Sequence, residues 1–212
     1  MKILVFILIF LTISCQNKDL PSNYSFHLDS SKIYLIFRGT NTKAGIVSKN
    51  FNILNKKISH IGLGVYEIDR WNIYHVVNTD NADSDLVIDN FESFSSVNDG
   101  VVDYMAIYEL IDVKSVERNN LLDQLKNMKT KKIKFDNSFS INNGDNLLYC
   151  SEFVVRMLSE IKESKFKYIP RTVELNSFQT AYIGKETLTY YPVDIFLEDI
   201  DELKLIKEFN LN

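Results

Sequence analysis

The stretch Leu147-Leu148-Tyr149-Cys150-Ser151-Glu152-Phe153-Val154-Val155-Arg156-Met157-Leu158 decides how this chain is read. Asn, Gly and Asp cluster just before it, at 142–146, which is turn chemistry. Counted from Cys150, Phe153, Val154, Met157, Leu158 and Ile161 recur at the spacing of one helix face. The pattern predicts a helix over 149–161 with Cys150 in its first turn, on the core-facing stripe. A helix start offers unpaired N–H groups and partial positive charge, which favour a thiolate and can hold a developing oxyanion. Free cysteine is also a common buried small hydrophobe. Position alone leaves both uses open.

Working outward, the rest of the chain mixes strands and helices. Strands are predicted at Ile33–Arg38, Ser59–Glu67, Asn72–Asn78, Asp85–Ile88, Val101–Tyr108 and Leu203–Phe209, with a helix over Val116–Lys129 and a weaker helical segment over Thr42–Lys56. Asp69-Arg70 is the expected turn between the second and third strands. The strands are grouped rather than alternated with helices, so the fold class is α+β, not a doubly wound sheet. The chain has 212 residues, 45% of them hydrophobic, with 7 Gly and 3 Pro, which excludes collagen-like and wholly disordered chains. Its net charge of −4 and lack of a basic block argue against nucleic acid as a partner.

A thiol nucleophile needs a base, and the base needs an orienting group. The histidines are His27, His60 and His75. His27 precedes the first strand and is expected at the surface. His60 and His75 lie on the two arms of the predicted hairpin, and an even-numbered turn sets them on one sheet face. His60 shares its face with Gly62 and Gly64, which suggests open space beside the imidazole and makes Gly62 a candidate substrate contact. Tyr149 flanks Cys150 and is either a pocket wall or a packing residue. Glu152 suits the helix dipole as a first-turn carboxylate. Asp136 reads as a turn residue or a groove contact, and Trp71 as a packing residue at the hairpin. No metal-ligand spacing and no phosphate loop is present, so no metal and no cofactor is expected.

The N-terminus is read apart from the fold. Met1-Lys2, the apolar run Ile3–Ile13 and Ser14-Cys15 describe a secretory signal too short for a comfortable membrane span. The run Leu11-Thr12-Ile13-Ser14-Cys15 resembles a bacterial lipoprotein signal. That resemblance implies a signal peptide over 1–14, a lipidated Cys15 opening a tether over 15–23, and a domain over 24–212 held at a membrane of the bacterial cell envelope. It leaves Cys150 without a disulfide partner.

The runs FRGTNTKAGIVSKN (37–50), ISHIGLGVYE (58–67), NIYHVVN (72–78), KFDNSF (134–139) and LLYCSEFVVRML (147–158) resemble the permuted papain-like amidases, the YaeF and YiiX group of the NlpC-type papain-like branch. The resemblance runs from about Tyr34 to Pro192. It implies a circularly permuted papain-like fold, an antiparallel sheet packed against helices with the nucleophile at a helix N-terminus. It implies Cys150 as nucleophile, His60 as base and His75 in the third, orienting position. Many relatives carry Glu there; lecithin retinol acyltransferase and its kin use a second histidine. The expected activity is that of a membrane-tethered cysteine hydrolase or acyltransferase working on an amide or ester, with a lipid amide, an acyl chain or a cell-wall peptide as substrate. A non-catalytic envelope lipoprotein that binds a peptide or lipid in the same groove is the alternative. Metabolic labelling with a fatty-acid probe is expected to tag the wild-type chain and to leave Cys15→Ala unlabelled; a labelled Cys15→Ala protein would refute the anchor.

Overall fold

Ile33-Tyr34-Leu35-Ile36-Phe37 is apolar at every position, the pattern of a strand covered on both faces. It forms β1 (Ile33–Thr40), buried along its whole length at the middle of the main sheet. The structure is a computed structural model that describes residues 27–80, 83–141, 143–159, 161, 167–198 and 200–211. The proposed signal, Cys15 and the tether lie outside the described residues. Among the described residues no helix is long and apolar enough to cross a membrane.

Around β1 the chain builds β2 (His60–Glu67), β3 (Arg70–Val76), β4 (Leu86–Asp89), β5 (Val102–Leu110) and β10 (Leu203–Asn210) into one six-stranded antiparallel sheet of order β10-β5-β1-β2-β3-β4. Two short pairs complete the strands: β6 (Lys134–Phe135) with β7 (Leu147–Leu148), parallel, and β8 (Arg171–Glu174) with β9 (Thr187–Tyr190), antiparallel. The helices are α1 (Lys43–Phe51), α2 (Phe91–Phe94), α3 (Ser115–Thr130), α4 (Cys150–Ser159) and α5 (Ser177–Ile183). The fold is α+β with a mostly antiparallel sheet, as the grouping of strands implies.

Each sheet face has its own core. Ile33, Leu35, Phe37, Ile61, Leu63 and Val65 point to the side of α3 and α4, where they meet Leu121, Leu125, Phe153 and Val154. Tyr34, Ile36, Ile73 and Phe94 occupy the other side, with Met105, Ile107 and Phe209. α4 departs from the expected amphipathic helix: eight of its ten residues are buried. The strap after β9 covers its polar side, where Ser151 Oγ donates to the Tyr191 carbonyl at 2.6 Å.

The hairpin turn falls at Ile68-Asp69, not at Asp69-Arg70. Glu67 pairs with Arg70, and both turn residues take positive φ, 52° and 57°. A two-residue turn that matches the strand twist needs this left-handed backbone. The segment 42–56 is helical only over Lys43–Phe51, capped by Thr42, whose hydroxyl accepts from the Gly45 N–H at 3.0 Å. The loop after α1 is held from far away in sequence. Asp194 Oδ2 accepts from the backbone N–H groups of Ile53, Leu54 and Asn55 at 2.9, 2.5 and 2.8 Å. Charge-assisted bonds of this kind are stronger than neutral ones, and losing the acceptor strands three donors. Asp194→Ala is expected to lower stability by about 2–4 kcal/mol, whereas Asp194→Asn, which keeps a carbonyl acceptor, loses clearly less. Thermal unfolding followed by circular dichroism reads the difference.

Candidate functional site

The site starts where the β2–β3 ladder ends. Pairing runs from Glu67 with Arg70 to Leu63 with Tyr74 and stops, although β2 extends back to His60 and β3 forward to Val76. α4 packs against both strands there. The Ile61 N–H, which would otherwise face β3, donates to the Cys150 sulfur, and the N–H groups of Cys150 and Ser151 at the helix start also point at it. The sulfur thus sits against the peptide that joins His60 to Ile61.

Four side chains form a row across β1 to β4 on one face of the sheet: Arg38, His60, His75 and Asp89. Arg38 pairs with His60 in the β1–β2 register. Extending the β2–β3 register by one step beyond Leu63 and Tyr74 would set His75 against Gly62, so the two histidines are diagonal neighbours on a shared face. His60 Nε2 lies 2.9 Å from His75 Nδ1, and His75 Nε2 lies 3.0 Å from Asp89 Oδ2. The direction of this chain follows from chemistry. A carboxylate only accepts, so His75 donates from Nε2 and its Nδ1 accepts. His60 then donates from Nε2, and its Nδ1 is left with the lone pair a base requires. Phe94 covers the row, with ring centroids 5.8 Å from His60 and 5.1 Å from His75 and the Arg38 guanidinium 4.7 Å above it.

The electrostatics depart from a ready-made ion pair. Burial pushes the Cys150 thiol up to about 11; the Ile61 and Ser151 amides and the Arg38 charge pull the other way without prevailing. His60 falls well below 6.5, first through burial and then through the charges of Arg38 and His75. His75 is also lowered, by burial against the opposing pull of its Asp89 bond. A helix start alone favours the thiolate, but enclosure outweighs it. The resting pair is a neutral thiol and a neutral imidazole. Among the described residues no hydrogen bond joins the Cys150 sulfur to the His60 ring: the ring leaves β2 on the Phe94 face, whereas α4 lies on the Ile61 face.

Cys150 borders a groove walled by α1, the Phe139 loop, α5 and the strap from β9 to Val193. Tyr149 lines it, and its hydroxyl accepts from the Tyr191 N–H at 2.8 Å, so it is both wall and packing residue. Gly62 is not a groove residue. A methyl group there would lie 2.7 Å from Ile73 Cγ2 and 3.2 Å from Phe94 Cε2, so the face expected to be open is filled by Phe94. Gly64 is likewise packed against Ile36. Glu152 pairs with Arg156 at 2.8 Å. Asp136 organises its own loop, accepting from Ser138, Ser140 and Asn143. Trp71 packs edge-on against Tyr34 and Tyr66, and His27 is exposed. Asp89 and Arg38 were not singled out from the sequence, although Arg38 lies inside the run FRGTNTKAGIVSKN and Asp89 follows Val87, the partner of His75, by the two-residue period of a strand.

No family model matches the chain, and no curated protein sequence matches it. Among solved structures the chain is similar in fold to the metalloprotein yiiX from Escherichia coli O157:H7, with a TM-score of 0.60 and 14% identity over 84% of this chain and 97% of that one. A metal does not fit the residues here. Among the described residues no group of three or more His, Cys, Asp or Glu side chains is placed to hold one, and the histidine nitrogens face each other and Asp89 beside a guanidinium.

The two buried histidines carry a consequence for stability. Below about pH 6.5 the unfolded chain takes up protons that the folded chain refuses, so stability is full above that pH and falls as pH drops through it. The slope contributed is at most about 1.4 kcal/mol per pH unit for each histidine. Urea unfolding midpoints between pH 8 and pH 5 are expected to show the decline, and His75→Gln is expected to make it shallower.

Proposed function

We propose that this chain is a cysteine hydrolase or acyltransferase with a circularly permuted papain-like fold, acting on amides or esters of an apolar acyl group. The observation that carries the reading is the hydrogen-bonded file Asp89–His75–His60, which ends at the peptide against which the Cys150 sulfur rests. The order of the parts, histidine strands before the cysteine helix, and the yiiX-like fold support it.

In this mechanism the Cys150 S–H bond breaks as substrate enters, the proton passing to His60 Nδ1 while the sulfur attacks the acyl carbon. His75 accepts the His60 Nε2–H bond and steadies the imidazolium, with Asp89 behind it in place of a directly bonded carboxylate. The N–H groups at the start of α4 receive the oxyanion. His60 returns the proton to the leaving amine or alcohol, and water or a second amine resolves the thioester. At rest the thiol lies against the Ile61 N–H and the imidazole lies on the Phe94 face of β2, so this transfer requires the ring to turn past the end of the strand when substrate binds.

The groove favours acyl chains over murein peptides. Phe51, Phe139, Tyr149, Leu188 and Tyr190 are among its walls, and no lining residue carries a charge. A stem peptide would bring carboxylates that find no cationic partner there. Anchored through Cys15, the enzyme would meet such substrates at the envelope membrane. The high thiol pKa supports a second reading, a groove that binds an apolar ligand without turnover. The full chain in detergent, incubated separately with N-acyl amines, phospholipids and muropeptides, is expected to yield an acyl adduct on Cys150 from the first two classes by mass spectrometry. Cys150→Ala is expected to abolish it, and His60→Ala to slow its formation at least about 100-fold. Adducts from muropeptides alone would reverse the substrate class, and none from any class would leave the binding reading.

A further inference from the structure

Exposed large apolar side chains such as Ile68, Val101, Val116 and Leu205 stand singly, as on any protein surface. Two pairs do not, and both flank the groove. Ile53 and Leu54 are 52% and 55% exposed in the loop that follows the groove wall Phe51. Their backbone is held in place, because their N–H groups and that of Asn55 donate to Asp194, the residue after the groove wall Val193. On another side of the groove, Phe178 and Tyr182 are 74% and 56% exposed on α5. They lie four residues apart, hence on one helix face, and Tyr182 lines the groove itself. The charge around the first pair is one-sided. The chain is acidic overall, with a net charge of −4, yet residues 42–57 hold Lys43, Lys49, Lys56 and Lys57 and no carboxylate. Lys49 and Lys57 pair with Asp103 and Glu208 of the sheet, whereas among the described residues the exposed Lys43 and Lys56 make no ion pair. Asp194, which meets the loop, is committed to its three amides. Glu174 and Glu186 bracket α5, so that flank offers apolar contact rather than positive charge.

We propose that the two flanks of the groove form a docking face for an anionic phospholipid bilayer, with Ile53, Leu54, Phe178 and Tyr182 entering the acyl boundary and Lys43 and Lys56 meeting the headgroups. Exposed apolar side chains with lysines beside them are what binding at a membrane interface needs. A bilayer fits these flanks better than a protein does. A rigid partner seated on both would cap the groove between them, whereas a bilayer sets acyl chains at its mouth. The inference shares the groove with the acyl-chain reading above but needs no chemistry at Cys150. A lipid on Cys15 would not do the same work: the twelve residues from Cys15 to His27 span at most about 40 Å, which keeps the domain near a membrane without orienting it. The docking face turns the groove toward the lipid.

The test uses the full chain on vesicles and reads which face lies against the lipid, so any contact made by the N-terminal segment is common to every variant. Trp71, the chain's one tryptophan, packs against Tyr34 and Tyr66 and sets the background. L54W and F178W put a reporter on each flank, and V116W serves as control. Val116 stands at the far end of β2, where Arg118 donates to the Tyr66 carbonyl, whereas α1 meets the near end through Ser48 and the Ser59 carbonyl. On vesicles of equal parts phosphatidylglycerol and acyl-brominated phosphatidylcholine, L54W and F178W fluorescence is expected to be quenched and V116W to stay at background. Adding K43Q and K56Q to F178W is expected to lower the docked-to-undocked ratio about thirtyfold, about fivefold per lysine. Brominated phosphatidylcholine alone is expected to weaken quenching in the same way. Should L54W disturb its loop, I53W replaces it. Quenching that fails at either flank, that reaches V116W equally, or that ignores both the lysines and the anionic lipid overturns the proposal. A dimer in light scattering that F178S dissolves would give the face to a second copy and overturn it as well. An acyl adduct on Cys150 in detergent without quenching on vesicles would sink the docking face alone. Quenching in a protein that forms no adduct would uphold the docking face and sink the hydrolase reading.

Discussion

The early end of the β2–β3 ladder is the constraint on which the site depends. Two strands that stop pairing inside a sheet leave backbone donors without acceptors, and a buried unpaired N–H is expensive. Here the start of α4 occupies the opening and the Cys150 sulfur takes the Ile61 N–H. That bond fixes the height of the helix against the sheet and holds the thiol at the peptide that joins His60 to Ile61. The strap from β9 then closes over the helix, through Ser151 to the Tyr191 carbonyl and the Tyr191 N–H to Tyr149. A helix buried at eight of its ten positions is possible because sheet and strap both supply partners for its polar groups.

Beside that opening, the row from Arg38 to Asp89 is a dipole laid across four strands, positive at the sheet centre and negative near its edge. The hydrogen bonds give it direction, and the Phe94 ring, which contacts three of its members, keeps water from screening it. The apolar cover is as much a determinant of the protonation states as the charges are. It also accounts for Gly62 and Gly64, which make room on that face for Phe94 and Ile36.

Most of the sheet and the key helix were legible in the sequence because their patterns are periodic and their neighbours local. The apolar run of β1, the alternation in β2 and the spacing after Cys150 each answer to one packing environment. The shared face of His60 and His75 follows from strand periodicity only if the turn holds an even number of residues, a condition that the two-residue turn at Ile68-Asp69 meets although it lies one residue earlier than Asp69-Arg70. What was not legible depends on contacts distant in sequence. Open space beside Gly62 was a reasonable reading of a small residue, but Phe94 fills it from thirty-two residues away. Asp89 became a partner of His75 only once β4 took its register. β8, α5 and β9 leave little mark in the sequence because they are short, and β8 and α5 are also largely exposed. The thiol's upward shift was hidden for the same reason: a helix start is visible in a sequence, and the enclosure around it is not.

The three amide bonds to Asp194 have a mechanical side. The carboxylate belongs to the segment that carries Pro192 and Val193 on one side of the groove, and the amides belong to the loop that ends α1 on the other. Those two walls are riveted together, and spreading them would break three bonds at once. α5, which contributes Tyr182 to a third side, has no buried residue along its length. The groove is therefore rigid across its width and compliant along one flank, so its calibre is set by a single carboxylate while its length is left adjustable.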